Sequence, residues 1–492
     1  MSATASVFAA VLALQAGAAD PSPIVYDFED GTTGRISLPA VPGWTWAADE
    51  TRPHAGRHAA RLSADGLPGD AGAAGAVVAA GPYVGKALRL TAWVRTEGAP
   101  TNLAGLWLRI DGAAGRPVFL DNMYDRPVSP GEWTRVEAVT IVPEGASRIV
   151  FGPIKSGPGS LWVDDLVLEI PERSSDPVSP ETTAYLDEAL GLLRTHHINR
   201  EGFDWTGLED AAHRLASGAR TPAETHGAIR TVIRHLGERH TFLRPAAQAR
   251  ALAAAPTLSP NATPTASAQL EAQVPTGHMA SSGVGVLVLP GLSTIGFQPE
   301  REEAYRAGLA GLIDSLRERG ACGWIVDLRN DTGGNMWPMI NGLETLLGGG
   351  PFGAFGQTTG PDNHWIRTRE RIRANASGAP PFTGPPGVLS AAPVAVLLGP
   401  STASAGEMTA IAFRGRPDTR FFGAPTAGLT TANSSFPLPD RSWLVITTSR
   451  AHDGAGTLIE GPLIPDEATA PAETLGAAVA WLRREGCRPV AP

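Results

Sequence analysis

The hydrophobic pattern of this chain changes period once, at PERSSDPVSPE, residues 171–181. Before it, over 22–170, short segments such as KALRLTAWVRT, LAGLWLRIDG and SLWVDDLVLEI alternate apolar and polar residues between Gly, Pro and Asp. Successive side chains of a strand point to opposite faces, so this half reads as an antiparallel β-sandwich. After it the period is helical: Leu186, Leu190 and Leu193 share a face, as do Leu208, Ala212 and Leu215, and Ile229, Val232, Ile233 and Leu236. The Pro/Ser-rich stretch itself has no period and reads as a linker. A multidomain chain is the consequence, and 492 residues are also more than one ordinary core holds.

The helical pattern fills 182–245, a small subdomain, and 246–280, rich in Ala, Pro, Thr and Gln, reads as an irregular connection. From 281 to 488 apolar strands alternate with amphipathic helices. GVGVLVLP precedes REEAYRAGLAGLIDSLRERG, which turns Leu309, Leu312, Ile313 and Leu316 inward. GWIVDLR precedes the helix around MWPMINGLETLL, and PVAVLLG precedes a helix starting near Ser404. Such a series builds an α/β core with a partly parallel sheet, whose chemistry belongs at the carboxyl ends of its strands.

Charge and cysteine content narrow the function. Forty Lys+Arg against 49 Asp+Glu leave a net charge of -9, with no basic run or basic helix face, which argues against a nucleic-acid partner. Cys322 and Cys487 fit no metal-ligand spacing, so no metal is expected; whether they pair is open. Residues 1–19 hold an apolar run from Val7 to Leu14 and the small residues Ala16, Gly17 and Ala18, the pattern of a signal peptide and of an exported, periplasmic or secreted, protein. That segment lacks Lys and Arg, so an apolar start to a cytoplasmic protein is the alternative. No later apolar run reaches the ~18 to 20 residues of a spanning helix, so no integral membrane segment is expected.

Two strand ends carry residues with chemical potential. GWIVDLRNDTGGN ends in Gly333 and Gly334, whose freedom lets backbone amides turn toward a cavity and stabilise an oxyanion. PVAVLLGPSTASAGE ends in three hydroxyls. Ser404 and Glu407 match the S-x-x-E box that starts helices, and a serine at a helix amino terminus also sits in positive potential, where a nucleophile would be placed. A nucleophilic serine needs a base, and His240 in LGERHTFL is the candidate among eleven histidines.

Taken in order, L-G-x-x-H-[ST]-x-L, V-D-L-R-N-x-x-G-G, S-x-A-S-A-x-E, G-x-x-T-A-G and I-E-G-x-x-I-P-D resemble the tail-specific, or C-terminal-processing, serine proteases over residues 182–485. The resemblance implies a ClpP/crotonase-like α/β protease core with the helical segment as its cap. It implies Ser404 as nucleophile, with Ser401 and Thr402 as supports, and an oxyanion hole from the amides of Ala405 and the Gly333-Gly334 turn. Members with a Ser-Lys pair carry the lysine where this chain has Leu429. The tricorn-core branch uses a histidine and a glutamate at the positions of His240 and Glu460, with a serine directly before the histidine where Arg239 stands here. A guanidinium has no acceptor to relay a proton, so Arg239 is expected to pair with a carboxylate, Glu460 being one candidate. The ~40 residues between His240 and GVGVLVLP are too few for a PDZ domain.

In the first half, FEDG at 28–31, Trp44, Trp46, LDNMYDRP, Trp133 and LWVDDLVLE resemble the jelly-roll carbohydrate-binding modules, which makes a carbohydrate one expected ligand, although a tryptophan in a sandwich is more often core. The whole reads as an exported serine-type peptidase acting on a protein or peptide without a cofactor. The alternatives are a non-catalytic binding protein on the same fold and an esterase acting on other acyl substrates.

Overall fold

The computed structural model describes residues 20–38, 42–64, 71–97, 103–113, 115–123, 127–171, 179–253, 273–280, 283–292, 299–368, 371–375 and 389–488. The segment expected as a signal peptide, most of the linker and the middle of the 246–280 connection lie outside them. The chain forms two compact units: one contains the chain up to Gly191 together with Gly202–Gly237, the other Leu192–Glu201 together with the chain from Glu238.

In the first unit the alternating segments form two antiparallel sheets. One is ordered Trp44–Asp49, Ala59–Ala64, Gly159–Glu169, Ala87–Thr96 and Thr134–Ile141, with Ile24–Tyr26 also paired to Gly159–Glu169. The other is ordered Gly72–Ala73, Ala146–Lys155, Ala104–Gly112 and Pro117–Asp121, with Ala76–Ala79 also on Ala146–Lys155. Leu88, Leu90 and Val94 of one sheet and Leu106, Leu108 and Ile110 of the other are fully buried in one apolar core. Each such side chain contributes roughly 1.5–3 kcal/mol, which is why the alternation dictates the layer architecture. Trp44 and Trp162 are buried in this unit, Arg52 and Arg61 lie over the Trp162 ring, and His54 stacks on Trp93 at 4.0 Å.

The segment 182–245, expected as one helical subdomain capping the catalytic core, is instead divided. Helices Trp205–Leu215 and His226–His235 belong to the sandwich's unit. Thr231 Oγ1 donates to the Val139 carbonyl at 3.1 Å and Arg234 pairs with Asp121 at 3.3 Å. Gly227 permits the close approach, because a Cβ there would lie 2.7 Å from Val139 Cγ2. The 246–280 connection begins with a helix, Ala246–Ala253, as its run of Ala, Gln and Arg favours, and ends with a strand, Thr276–Met279.

The second unit contains the α/β series. Its sheet is ordered Thr276–Met279, Val284–Val288, Gly323–Asp327, Val394–Leu398, Thr419–Gly423 and Glu467–Ala468, with every pairing parallel except the first. Both faces are buried, which is why its strands read as unbroken apolar runs. Trp324, Val326, Val394 and Val396 pack with Leu309, Ile313, Met339 and Ile411 of the helices Pro299–Glu318, Met336–Gly342 and Ala405–Ile411. Ile325, Ala395, Leu397 and Phe422 pack with Ala478, Trp481 and Leu482 of Thr474–Arg484. On that second face a disulfide joins Cys322 and Cys487, settling the pairing that the sequence left open.

A second, antiparallel sheet has no counterpart in the sequence reading. It is ordered Phe242–Arg244, Trp443–His452, Ala354–Gln357, Gly360–Arg367 and Ile372–Asn375, with Thr431–Pro437 and Leu458–Ile459 also paired to Trp443–His452. It places the short strand that follows His240 beside the strand that carries Thr447.

Candidate active site

The two strand-end turns singled out above meet. The chain leaving Gly323–Asp327 passes Leu328 and Asp331 into the Gly333-Gly334 turn, and the chain leaving Val394–Leu398 passes Gly399 and Thr402 into Ser404. Thr402 staples them, accepting from Gly399 N at 3.0 Å and donating to the Leu328 carbonyl at 2.9 Å. Ala403 N adds a bond to the Asp331 carbonyl at 2.9 Å. Thr402 is thus the support it was expected to be, whereas Ser401 lies exposed.

Ser404 sits immediately before the helix Ala405–Ile411 with φ 51° and ψ -114°, outside the backbone regions a non-glycine residue ordinarily adopts. Such a residue persists only where its surroundings impose the conformation. The imposing group is Glu407, fully buried, whose carboxylate accepts from Ser404 N at 2.9 Å, Gly428 N at 2.9 Å, Leu429 N at 2.8 Å and the Thr426 hydroxyl. Burial pushes the Glu407 carboxyl above its ordinary pKa, against these four donors. The segment around Leu429 therefore supplies backbone amides to Glu407 and no base to Ser404.

The candidate base lies on the other side. His240 Nε2 is 3.0 Å from Ser404 Oγ, and His240 Nδ1 is 2.7 Å from Thr431 Oγ1. When Nδ1 carries the ring proton and donates it to Thr431, the Nε2 lone pair faces the serine hydroxyl, which is the tautomer a general base requires. His240 is buried, its carbonyl accepts from Asn433 Nδ2 at 2.9 Å, and burial lowers its pKa below 6.5 while the Glu238 charge opposes that fall. The ring is neutral, and able to accept a proton, at pH 7.

Two expected members stand elsewhere. Glu460 pairs with Arg450 Nη1 at 3.2 Å, with its side chain 61% exposed, and it lines a cleft beside His240 without bonding to the ring. Arg239, also on that cleft, donates to the Ala427 carbonyl at 3.4 Å and not to Glu460. The Gly333 amide, expected in the oxyanion hole, donates to Asp331 Oδ1 at 3.0 Å. What Gly333 contributes is the absence of a side chain: at φ 105° its Cβ would lie 2.8 Å from Ser404 Cβ. Gly334 and Ala405 remain as candidate oxyanion donors, Ala405 being the first residue of its helix, where an amide has no intrahelical partner.

Asp331 is fully buried, and burial raises its carboxyl to about 8 against the Gly333 amide that lowers it. It is therefore mostly protonated at pH 7. Neither Asp331 nor Thr431 carried a signal in the sequence, since both are ordinary turn and strand residues until the fold packs Asp331 behind the Gly333 turn and Thr431 against His240. Among the described residues no group of three or more His, Cys, Asp or Glu is arranged to hold a metal ion, and no described helix is long and apolar enough to cross a membrane.

A serine at a strained strand-to-helix turn, a histidine on its hydroxyl and amides beside it, on a parallel sheet, fit a serine peptidase, a hydrolase. Residues 283–469 match the model of peptidase family S41. Over 311 residues, 63% of this chain and 89% of the relative, the sequence is 25% identical to a nisin-resistance protein of Lactococcus lactis subsp. lactis. A shorter match, 38% identical over 112 residues, covers 22% of this chain and 38% of an uncharacterised HTH-type transcriptional regulator, YbfP, of Bacillus subtilis (strain 168). A lipoprotein structure from Streptococcus agalactiae aligns with a TM-score of 0.51 at 24% identity, over 63% of this chain and 99% of that one, a likeness of fold.

Proposed function

We propose that the chain hydrolyses peptide bonds through an acyl-enzyme on Ser404, with His240 as general base. The observation that carries this reading is the 3.0 Å approach of His240 Nε2 to Ser404 Oγ at a backbone turn held against its own preference. His240 takes the hydroxyl proton as Ser404 attacks the carbonyl carbon, and the tetrahedral oxyanion lies against the amides of Gly334 and Ala405. As the carbon–nitrogen bond breaks, His240 returns the proton to the leaving amine. Water, deprotonated by the same ring, then releases the acid and restores Ser404. The site needs no organic cofactor for these steps. Thr431 orients the ring, and Glu460 takes no part in proton transfer.

The protein works outside the cytoplasm, as the apolar amino terminus suggests and as the Cys322–Cys487 disulfide supports, since such bonds persist in oxidising compartments. For the sandwich, a carbohydrate is the ligand class that its resemblance suggests. The test of the catalytic reading is the hydrolysis of fluorescently labelled casein by the full chain and by Ser404→Ala. Turnover abolished in the variant supports it, and turnover unchanged overturns it. Ester substrates cleaved in preference to every peptide would move the acyl substrate away from peptides, and no turnover of either would favour a binding protein.

A further inference from the structure

We propose that Glu238 is the charged partner of the Ser404–His240 pair, a positioning residue that stabilises the protonated imidazole through its field and not through a hydrogen bond to the ring. The proposal rests on the reading of His240 as base. The ring's own partner at Nδ1 is the Thr431 hydroxyl, which fixes the tautomer but brings no negative charge to the imidazolium that forms when Ser404 attacks. Some anion must meet that charge, or the buried ring bears it against desolvation alone.

The charged groups around the site leave one choice. Across the cleft, Glu460 is paired with Arg450. Arg239, beside His240, has the wrong sign. Glu407, below Ser404, is engaged by four donors and pushed toward its neutral form by burial, and Asp331, behind the Gly333 turn, is mostly neutral for the same reason. Glu238 remains, two residues before His240 and lining the same cleft. Its carboxylate turns back along the chain to accept the backbone amides of His240 and of Thr241, the latter at 2.9 Å. Thr447 Oγ1 donates to it at 2.8 Å. His197 Nε2 stands 3.6 Å away; its Nδ1 accepts from Asn199 N at 3.1 Å, which leaves the ring hydrogen on the nitrogen that faces Glu238. Burial raises the Glu238 carboxyl, but the donors from His197, Thr241, Thr447 and the His240 amide outweigh it and hold the pKa at about 2. It is an anion wherever the enzyme would work, and it is fixed by groups from three separate stretches of chain.

A purely structural Glu238 would tie the His240 loop and alter melting temperature or overall rate. It would not move the pH at which His240 titrates. The test is the pH dependence of the second-order rate constant for modification of Ser404 by a fluorophosphonate, which reads His240 without a known substrate. Glu238→Gln shifts the acid limb to lower pH, because losing the negative charge makes the imidazolium easier to deprotonate, and lowers the plateau roughly tenfold. Glu238→Asp, which keeps the charge, returns the limb toward that of the wild type. If the glutamine variant does not fold, Glu238→Ser, smaller and also neutral, serves in its place. A folded neutral variant whose acid limb coincides with the wild type overturns the proposal. Ser404→Ala and His240→Ala are measured alongside: if His240→Ala reacts as fast as wild type, the base assignment fails. If it is silent while the Glu238 variants leave the limb unmoved, only the present inference fails.

Discussion

Two buried aspartates, one in each unit, show how differently a buried carboxyl can be treated. Asp111 in the sandwich is fully buried, yet Arg109 at 2.7 Å and Arg148 at 2.5 Å hold its carboxyl below the usual range. Asp331 in the catalytic unit is equally buried, receives one bond from the Gly333 amide, and is pushed up to about 8. The sandwich pairs its charge and gains a rigid strand. The catalytic unit leaves a carboxyl short of partners directly beneath the turn that faces Ser404. At Ser404 and Asp331 backbone strain and incomplete pairing lie side by side, as expected where a site must hold groups in conformations they would not choose alone.

That contrast can be broken most severely at the site itself. His240→Ala should lower kcat/KM on labelled casein by about 10³-fold or more with little change in melting temperature, since the ring acts as a unit with Ser404. Gly333→Ala comes next. Its Cβ would collide with Ser404 Cβ, and a loss of roughly 10²-fold in kcat is expected with a destabilisation of about 1–3 kcal/mol, measured together by kinetics and thermal melting.

The aspartates give a smaller and more discriminating effect. Asp331 has its pKa raised in the folded state, so the folded protein binds more protons than the unfolded chain between about 4 and 8, and stability from this group falls as pH rises through that window. Asp331→Asn should remove that fall, its melting temperature gaining on the wild type from pH 4 to pH 8. Asp111→Asn should do the reverse, losing about 2 kcal/mol at neutral pH and leaving kcat untouched. Asp111 has its pKa lowered, so its stabilisation is present above the unfolded value near 4 and disappears as pH drops below it. Equal pH profiles for the two variants would dissolve the contrast. The smallest effect belongs to Glu460→Gln, expected within about twofold of wild type in kcat because Glu460 bonds to Arg450 and not to His240; a hundredfold loss would restore it as the third catalytic member.

Much of this was legible in the sequence. Both periods were readable because burial is periodic: the sandwich buries one face of each strand, and the parallel sheet buries two. The candidate nucleophile was legible for a local reason, since a serine three residues before a glutamate after an apolar strand is a helix start whatever its function. What stayed hidden depends on contacts distant in sequence. The sheet that carries Thr431 and Thr447 joins the neighbouring strands Thr431–Pro437 and Trp443–His452 to Phe242–Arg244 from a distant stretch of chain, and that pairing places Thr431 on His240 Nδ1. Glu460 misled because sequence order fixes neighbours along the chain and not the direction of a side chain. The amide of Gly333 misled for a similar reason, since an acceptor two residues before it, Asp331, already holds it.

The most direct test of the central claim, that Ser404 is activated by His240, is fluorophosphonate labelling of the native chain with the modified residue located by mass spectrometry. The account predicts a single adduct on Ser404, absent from His240→Ala and from protein unfolded in urea. An active enzyme with Ser404 unmodified, or with the adduct on another serine, would contradict it.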